Sequence, residues 1–256
     1  KRINDLPGTV RHVIIIAAIP LVHPKIPVAA KAALSFLAGS ESNNTGLVAL
    51  VQATGLAQSL VSRWGTLEIM DDLNDHWSAD THVAEKATMV HMLQDLALAR
   101  GFRFTFLSGD VHVAAVGHFQ TNPPRELKED HRFMLQITSS AIGNLPPPDA
   151  VTKALNANAQ IEQFDPETKE CMDNVFGPNQ VLRASRNWLL AMECPDVPGA
   201  PVTKNGGGEN GSVADNERTD GALLFQFRLE HPAYKETGQP DVLEVVVPLL
   251  VKPTSK

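Results

Sequence analysis

The sequence predicts a mixed α and β domain of the α+β kind, and three observations carry that expectation. Arg11 to Ile19 is an apolar, β-branched run of strand length. Ser78 to Arg100 repeats apolar residues at helical spacing. The last third of the chain holds three short apolar runs parted by polar loops, an antiparallel-looking tail. No internal repeat is present, so residues 1–256 are expected to form a single domain whose sheet continues outside these residues.

The elements follow in chain order. Arg11 to Ile19 has no polar residue after His12, which predicts a strand buried on both faces and ended by Pro20. Residues 28–38 are Ala-rich and predict a helix stopped by Gly39; Ser40 to Thr45 is a polar loop, and 47–63 a second helix weakened by Gly55. In Ser78 to Arg100, Val83, Ala87, Val90, Leu93 and Ala97 share one helical face; Ser78 or Asp80 suits the start and Gly101 the stop. Phe102 to Leu107 is a strand, broken by Ser108-Gly-Asp110, and Val111 to Phe119 another. Phe133 to Thr138 is its expected partner across the loop 120–131. Asn144 to Pro148 is a Pro-rich loop before a short helix capped by Asp149. The pattern is weak from Asn156 to Arg186; then Asn187 to Met192, Ala222 to Glu230 and Val242 to Val247 read as strands. Asn205 to Gly221, rich in Gly, Asn and Asp, is expected to be a flexible surface loop.

Composition narrows the function classes. The 256 residues carry 22 Lys and Arg against 29 Asp and Glu, a formal charge of −7. That balance argues against a broad nucleic-acid-binding surface, which needs clustered basic residues. The longest apolar runs, Val13 to Leu21 and Val242 to Val251, fall short of the ~20 residues of a membrane helix, and the second contains Glu244 and Pro248. No signal-peptide pattern opens the chain, and Cys171 and Cys194 make no disulfide framework, which together favour an intracellular, reducing location. A first residue of Lys rather than Met suggests a piece of a longer protein.

Two segments concentrate chemistry. In Leu107-Ser-Gly-Asp-Val-His112 an acid and an imidazole stand two apart after a strand, where extended backbone aims both to one side. Asp110 and His112 are therefore candidate metal ligands, with Gly109 allowing a tight turn. The plainer alternative is a turn with His112 satisfied in the core. Met70-Asp-Asp-Leu-Asn-Asp-His-Trp77 places three carboxylates, a His and a Trp within eight residues, enough for a metal- or phosphate-handling loop. Its alternative is a solvated acidic loop with Trp77 packed as a staple. His82 and His91 read as surface or rim residues, and Arg183 and Arg186 either grip a phosphate or stand as exposed arginines. Lys204-Asn-Gly-Gly-Gly-Glu lacks the strand, the Gly-Lys-Ser/Thr ending and the helix of a phosphate loop. Gly-x-Ser-x-Gly, Cys-x-x-Cys and His-Glu-x-x-His are absent.

Taken in order, Asp71-Asp-Leu-Asn-Asp-His-Trp77, the amphipathic helix, the apolar strand and Leu107-Ser-Gly-Asp-Val-His-Val-Ala-Ala-Val-Gly117 resemble the PhoD-like alkaline phosphatase family, above all its fungal branch. Ile137-Thr-Ser-Ser-Ala-Ile-Gly-Asn-Leu-Pro-Pro-Pro148 and Arg186-Asn-Trp188 extend the likeness over most of the chain. The resemblance implies a metallophosphoesterase-type β-sandwich flanked by helices, and a phosphate-ester substrate. It also implies divalent or trivalent metal ions, calcium and iron in that family. Gly109-Asp-Val-His112 stands where that superfamily has its late Gly-His-x-His ligands, which favours Asp110 and His112. Asp75 and His76 lie in a loop resembling one near the family's site, and the resemblance gives them catalytic roles: orienting ligands or protonating the leaving alkoxide. The superfamily's early ligand segments, an Asp-x-His strand ahead of the others, Gly-Asp-x-x-Asp and Asn-His-Asp/Glu, are not found; the Asp-x-His spacings present, Asp80-Thr-His82 and Asp110-Val-His112, come late in that order. The expectation is thus a carboxy-terminal half of a metal-dependent phosphoric ester hydrolase, inactive alone; the alternative is a non-catalytic binding module or pseudoenzyme.

Overall fold

The structure, a computed structural model, describes residues 3–24, 77, 79, 81–109, 112–140, 142–143, 146, 149–157, 162–194, 221–231 and 238–251. The expected helices over 28–38 and 47–63, the loop 40–45 and nearly all of 205–221 lie outside these residues. Among the described residues, after a 3-10 turn at Ile3–Asp5, ten strands and two α-helices follow one another as β1 (His12–Ala17), α1 (Val83–Arg100), β2 (Arg103–Ser108), β3 (Ala114–Thr121), β4 (Met134–Thr138), α2 (Asp149–Ala157), β5 (Glu162–Asp165), β6 (Thr168–Met172), β7 (Leu182–Arg183), β8 (Asn187–Glu193), β9 (Leu223–Leu229) and β10 (Asp241–Val247).

Two sheets result. The larger runs β1-β2-β4-β3-β6-β5, with β7 pairing onto the start of β3; the smaller is the antiparallel set β10-β9-β8. The pairs β1–β2 and β2–β4 are parallel, and β3 is antiparallel to both β4 and β6. Alternation along each strand sorts side chains into two cores. On one face, Ala114, Val116, Phe133, Leu135 and Ile137 meet Phe225, Phe227, Leu229, Leu243, Val245 and Val247 of the smaller sheet. On the other, Phe104, Phe106, Phe119 and Met134 meet Val90, Leu93 and Ala97 of α1 and Leu21 and Val22 from the chain after β1. The layers are therefore helix, mixed sheet and antiparallel sheet, which makes the mixed α and β class an observation.

α1 begins later than its sequence suggests. His82 occupies the N-cap position without a side-chain cap bond; Ser78 and Asp80 lie outside the described residues. Its end is as expected: Gly101 turns left-handed at φ 72 and its N–H reaches the Ala97 carbonyl. The buried face also carries Lys86, whose Nζ lies 2.7 Å from both carboxylate oxygens of Glu170 on β6. That pair fastens the helix to the far part of the sheet.

The expectation that Arg11 to Ile19 is buried on both faces is corrected. Val13, Ile15 and Ala17 pack against the α1 side, but Ile14 is 41% and Ile16 84% exposed. The reason is position: among the described residues β1 ends the larger sheet, and the core shared with the smaller sheet draws no residue from it. The weak region from Asn156 to Arg186 holds three strands that the pattern did not reveal. β5 and β6 form the polar far edge, paired through a register shift between Gln163 and Asp165, and β7 is two residues long. Polar edge strands lack the apolar alternation on which sequence reading depends.

A fully buried arginine closes the far end of the sandwich. Arg103 donates from Nη1 to the carbonyls of Asp130 (2.7 Å) and Phe133 (2.8 Å), from Nη2 to Leu127 (2.5 Å) and from Nε to Pro248 (3.1 Å). Its guanidinium also lies 5.1 Å from the Phe133 ring. Burial pulls its pKa down to about 10, against the pull of the Asp130 charge. One side chain thus joins the 122–133 connection to the exit of β10.

Candidate functional site

Parallel pairing brings the carboxy ends of β2 and β4 together with the start of β3, and the candidate ligand segment hangs from that rim. The register fixes it: Ser108 lies opposite Thr138, and Ala115 opposite Thr138 on the other side of β4. Hydroxyls and amides take over here from the apolar core. Gln136 donates from Nε2 to Ser108 Oγ at 3.0 Å, while its Oε1 accepts the Leu21 N–H at 3.0 Å. Ser108 Oγ lies 3.4 Å from Thr138 Oγ1. Ser139 Oγ donates to Asn187 Oδ1 at 2.8 Å, and the Ser140 N–H reaches the same oxygen at 3.1 Å. Asn187 in turn donates from Nδ2 to the Ser185 carbonyl at 2.9 Å. The rim is therefore bound across both sheets before any ligand is considered.

Of the four candidate site residues, His112 is described; Asp75, His76 and Asp110 lie outside the described residues. His112 sits half-buried between β2 and β3, two residues before Ala114. Its backbone is not extended. The i, i+2 argument assumed extended chain, whereas His112 has φ 64, the left-handed region. Nor does Gly109 make the turn by steric necessity: a Cβ there would meet nothing within 4 Å, and its φ is not left-handed. Among the described residues of the turn, the histidine bears the strain. A side chain in that region costs roughly 1–2 kcal/mol, and such outliers collect where a side chain must be aimed. Among the described residues no group of three His, Cys, Asp or Glu side chains gathers to hold a metal.

Sequence reading missed a buried ionic pair one strand-length inward. His118 on β3 lies 2.8 Å through Nδ1 from Asp173 Oδ2, both side chains inside the core beside Phe133. Burial opposes the charge on the imidazole, but the Asp173 charge and hydrogen bond, with Cys171 adding to them, raise its pKa to about 10. Neighbouring Gly117 has a packing reason: a Cβ would stand 2.5 Å from Val22 Cγ1 and 2.8 Å from the Cys171 carbonyl. The rim network was legible only as quoted motif residues, since hydroxyls and amides have no periodicity of their own. Arg183 and Arg186 do not act as a pair. Arg186 bonds Glu230 through both Nε and Nη2, while Arg183 Nη2 lies 3.5 Å from Asp241. His82 is half-buried and His91 exposed on α1, surface or rim residues of the helix as expected, near Glu85 and Asp165. Cys171 and Cys194 are both buried and are not joined by a disulfide. No helix among the described residues is long and apolar enough to cross a membrane.

Comparison with known proteins matches a segment that holds Ser108, Gln136, Thr138, Ser139 and Ser140 of this rim but not Leu21, Ser185 or Asn187. Residues 44–170 match the family model described as PhoD related phosphatase. An uncharacterized protein of Saccharomyces cerevisiae is 38% identical over 130 residues, 44% of this chain and 18% of that protein. The chain thus spans less than a fifth of the length of that relative. No solved structure matches. The matched segment contains Asp75, His76, Asp110, His112 and the Ile137-Thr-Ser-Ser140 strand end together, so over residues 44–170 the chain is similar to the PhoD related phosphatases, and part of it is similar to a yeast protein.

Proposed function

We propose that this chain is part of a metal-dependent phosphoric ester hydrolase. The observation that carries the reading is the family match over 44–170, which encloses both chemistry-bearing segments. The strained His112 backbone at a hydrogen-bonded strand rim supports it. The donor chemistry of the chain fits a hard or borderline cation: an Asp110 carboxylate and a His112 imidazole are the usual oxygen and nitrogen ligands, with calcium and iron as the family's pair. Such ions, when bound, supply positive charge to the phosphoryl oxygens and lower the pKa of a bound water. The protein's own part is positional. The Ser108, Gln136, Thr138 and Asn187 bonds fix the strand ends from which the ligand loop departs. Asp75 and His76 would orient ligands or protonate the leaving alkoxide.

A second reading, a non-catalytic module built on the phosphatase fold, rests on the sequence, in which Gly-Asp-x-x-Asp and Asn-His-Asp/Glu ligand segments are not found. Hydrolysis of an aryl phosphate separates the two. We expect little turnover from the 256-residue chain and chelator-sensitive turnover from the longer protein, abolished by His112→Ala. A longer protein whose turnover is indifferent to both chelator and His112→Ala would defeat the phosphatase reading of this site.

A further inference from the structure

We propose that the cavity between α2 and the β7–β8 turn binds the phosphoryl group of a small phosphorylated organic molecule, at a site separate from the candidate metal ligands. The cavity measures about 460 Å³, within the range of small-molecule sites and larger than an inorganic phosphate needs. Its lining holds Thr152 and Ser185, both 7% exposed, and neither hydroxyl has a hydrogen-bond partner among the described residues. A buried hydroxyl left unpaired costs roughly 1–3 kcal/mol, so two beside one cavity call for a ligand that pairs with them.

The charges around the cavity specify an anion. Lys153, Arg183 and His231 line it. Lys153 is exposed and has no ion-pair partner among the described residues. Arg183 and His231 share the Asp241 carboxylate at 3.5 and 4.0 Å, longer than direct hydrogen bonds. Glu230 also lines the cavity, but Arg186 holds its carboxylate, with Nε 2.8 Å from Oε2. Two hydroxyls, an ammonium, a guanidinium and an imidazole offer donors to several oxygens at once, which suits a phosphoryl dianion.

The walls are held in place by groups that take no part in binding. Asn156 of α2 accepts the N–H groups of Val181 (3.0 Å) and Leu182 (2.8 Å) and donates to the Leu182 carbonyl (3.2 Å), joining the helix to β7. Arg183 pairs with Ala114, two residues from His112, so the cavity adjoins the rim without including it.

The test is calorimetric titration of the full chain with glycerol 3-phosphate, inorganic phosphate and glycerol, in EDTA so that metal bound at Asp110 or His112 has no influence. Glycerol 3-phosphate should bind at least as tightly as phosphate, and glycerol not at all. Arg183→Gln and Ser185→Ala should each weaken binding about tenfold, as expected for hydrogen bonds to a charged ligand. Lys128→Gln, an exposed charge elsewhere, should leave it unchanged. Ser185→Ala should also melt no lower than the parent, because its hydroxyl has no partner to lose. Absence of phosphate binding, or equal affinity in the parent, Arg183→Gln and Ser185→Ala, would overturn the proposal.

Discussion

His118 and Asp173 meet at 2.8 Å where a sandwich core would ordinarily be apolar, their side chains 6% and 7% exposed. The pair links β3 to the segment just after β6, and it makes stability depend on pH. Burial alone would discharge the imidazole; Asp173 reverses that and raises its pKa to about 10 from 6.5. Its stabilisation is therefore complete below pH 6.5 and drains away as pH rises toward 10.

Urea unfolding between pH 6.5 and 10 should accordingly show a falling midpoint. In Asp173→Asn the buried imidazole loses its charged partner and burial dominates. The sign inverts: that contribution is present above pH 6.5 and lost on acidification. The variant should also be about 3–5 kcal/mol less stable at pH 6.5, as for other broken buried pairs. Parallel pH profiles for parent and variant would contradict this account.

Arg103→Met should destabilise by about 3 kcal/mol or more, since the carbonyls of Leu127, Asp130, Phe133 and Pro248 lose their common donor inside the protein. Amide exchange should rise first in residues 122–133 and 248–251, the two stretches that the guanidinium joins. Exchange raised evenly over the whole chain would argue against a local clamp.

His112→Gly should stabilise the chain by about 1 kcal/mol, because glycine occupies φ 64 without the steric cost of a side chain. His112→Ala should give no such gain. In the longer protein both should lose turnover. Stability rising as activity disappears, followed by thermal melting and aryl phosphate hydrolysis, is the signature of a side chain held strained for function.

Ile16→Lys should change stability by no more than about 0.5 kcal/mol, since that side chain is 84% exposed. Ile15→Lys, one residue away on the packed face, should be far more costly. Equal penalties in chemical denaturation would mean that both faces of β1 are covered.

The sequence by itself determined the elements whose burial follows a period. The α1 face through Val90, Leu93 and Ala97, its Gly101 stop and strands β2, β3, β4, β8, β9 and β10 were all legible, because a repeating side-chain direction leaves a repeating apolar pattern. The family resemblance was legible too, in motif order. Tertiary structure alone decided the rest. Whether Ile14 and Ile16 are covered depends on how far a second sheet extends, and no property of the Arg11 to Ile19 run encodes that. β6 and β7 are strands because β3 offers them an edge, and β5 because β6 does, not because their own residues alternate. Buried polar groups depend most on distant partners. His118 waits on Asp173, Arg103 on four carbonyls up to 145 positions away, and Thr152 and Ser185 share a cavity that exists only once α2 is tied to β7. A hydrogen bond needs two specific atoms within about 3 Å, and only the folded chain brings such atoms together.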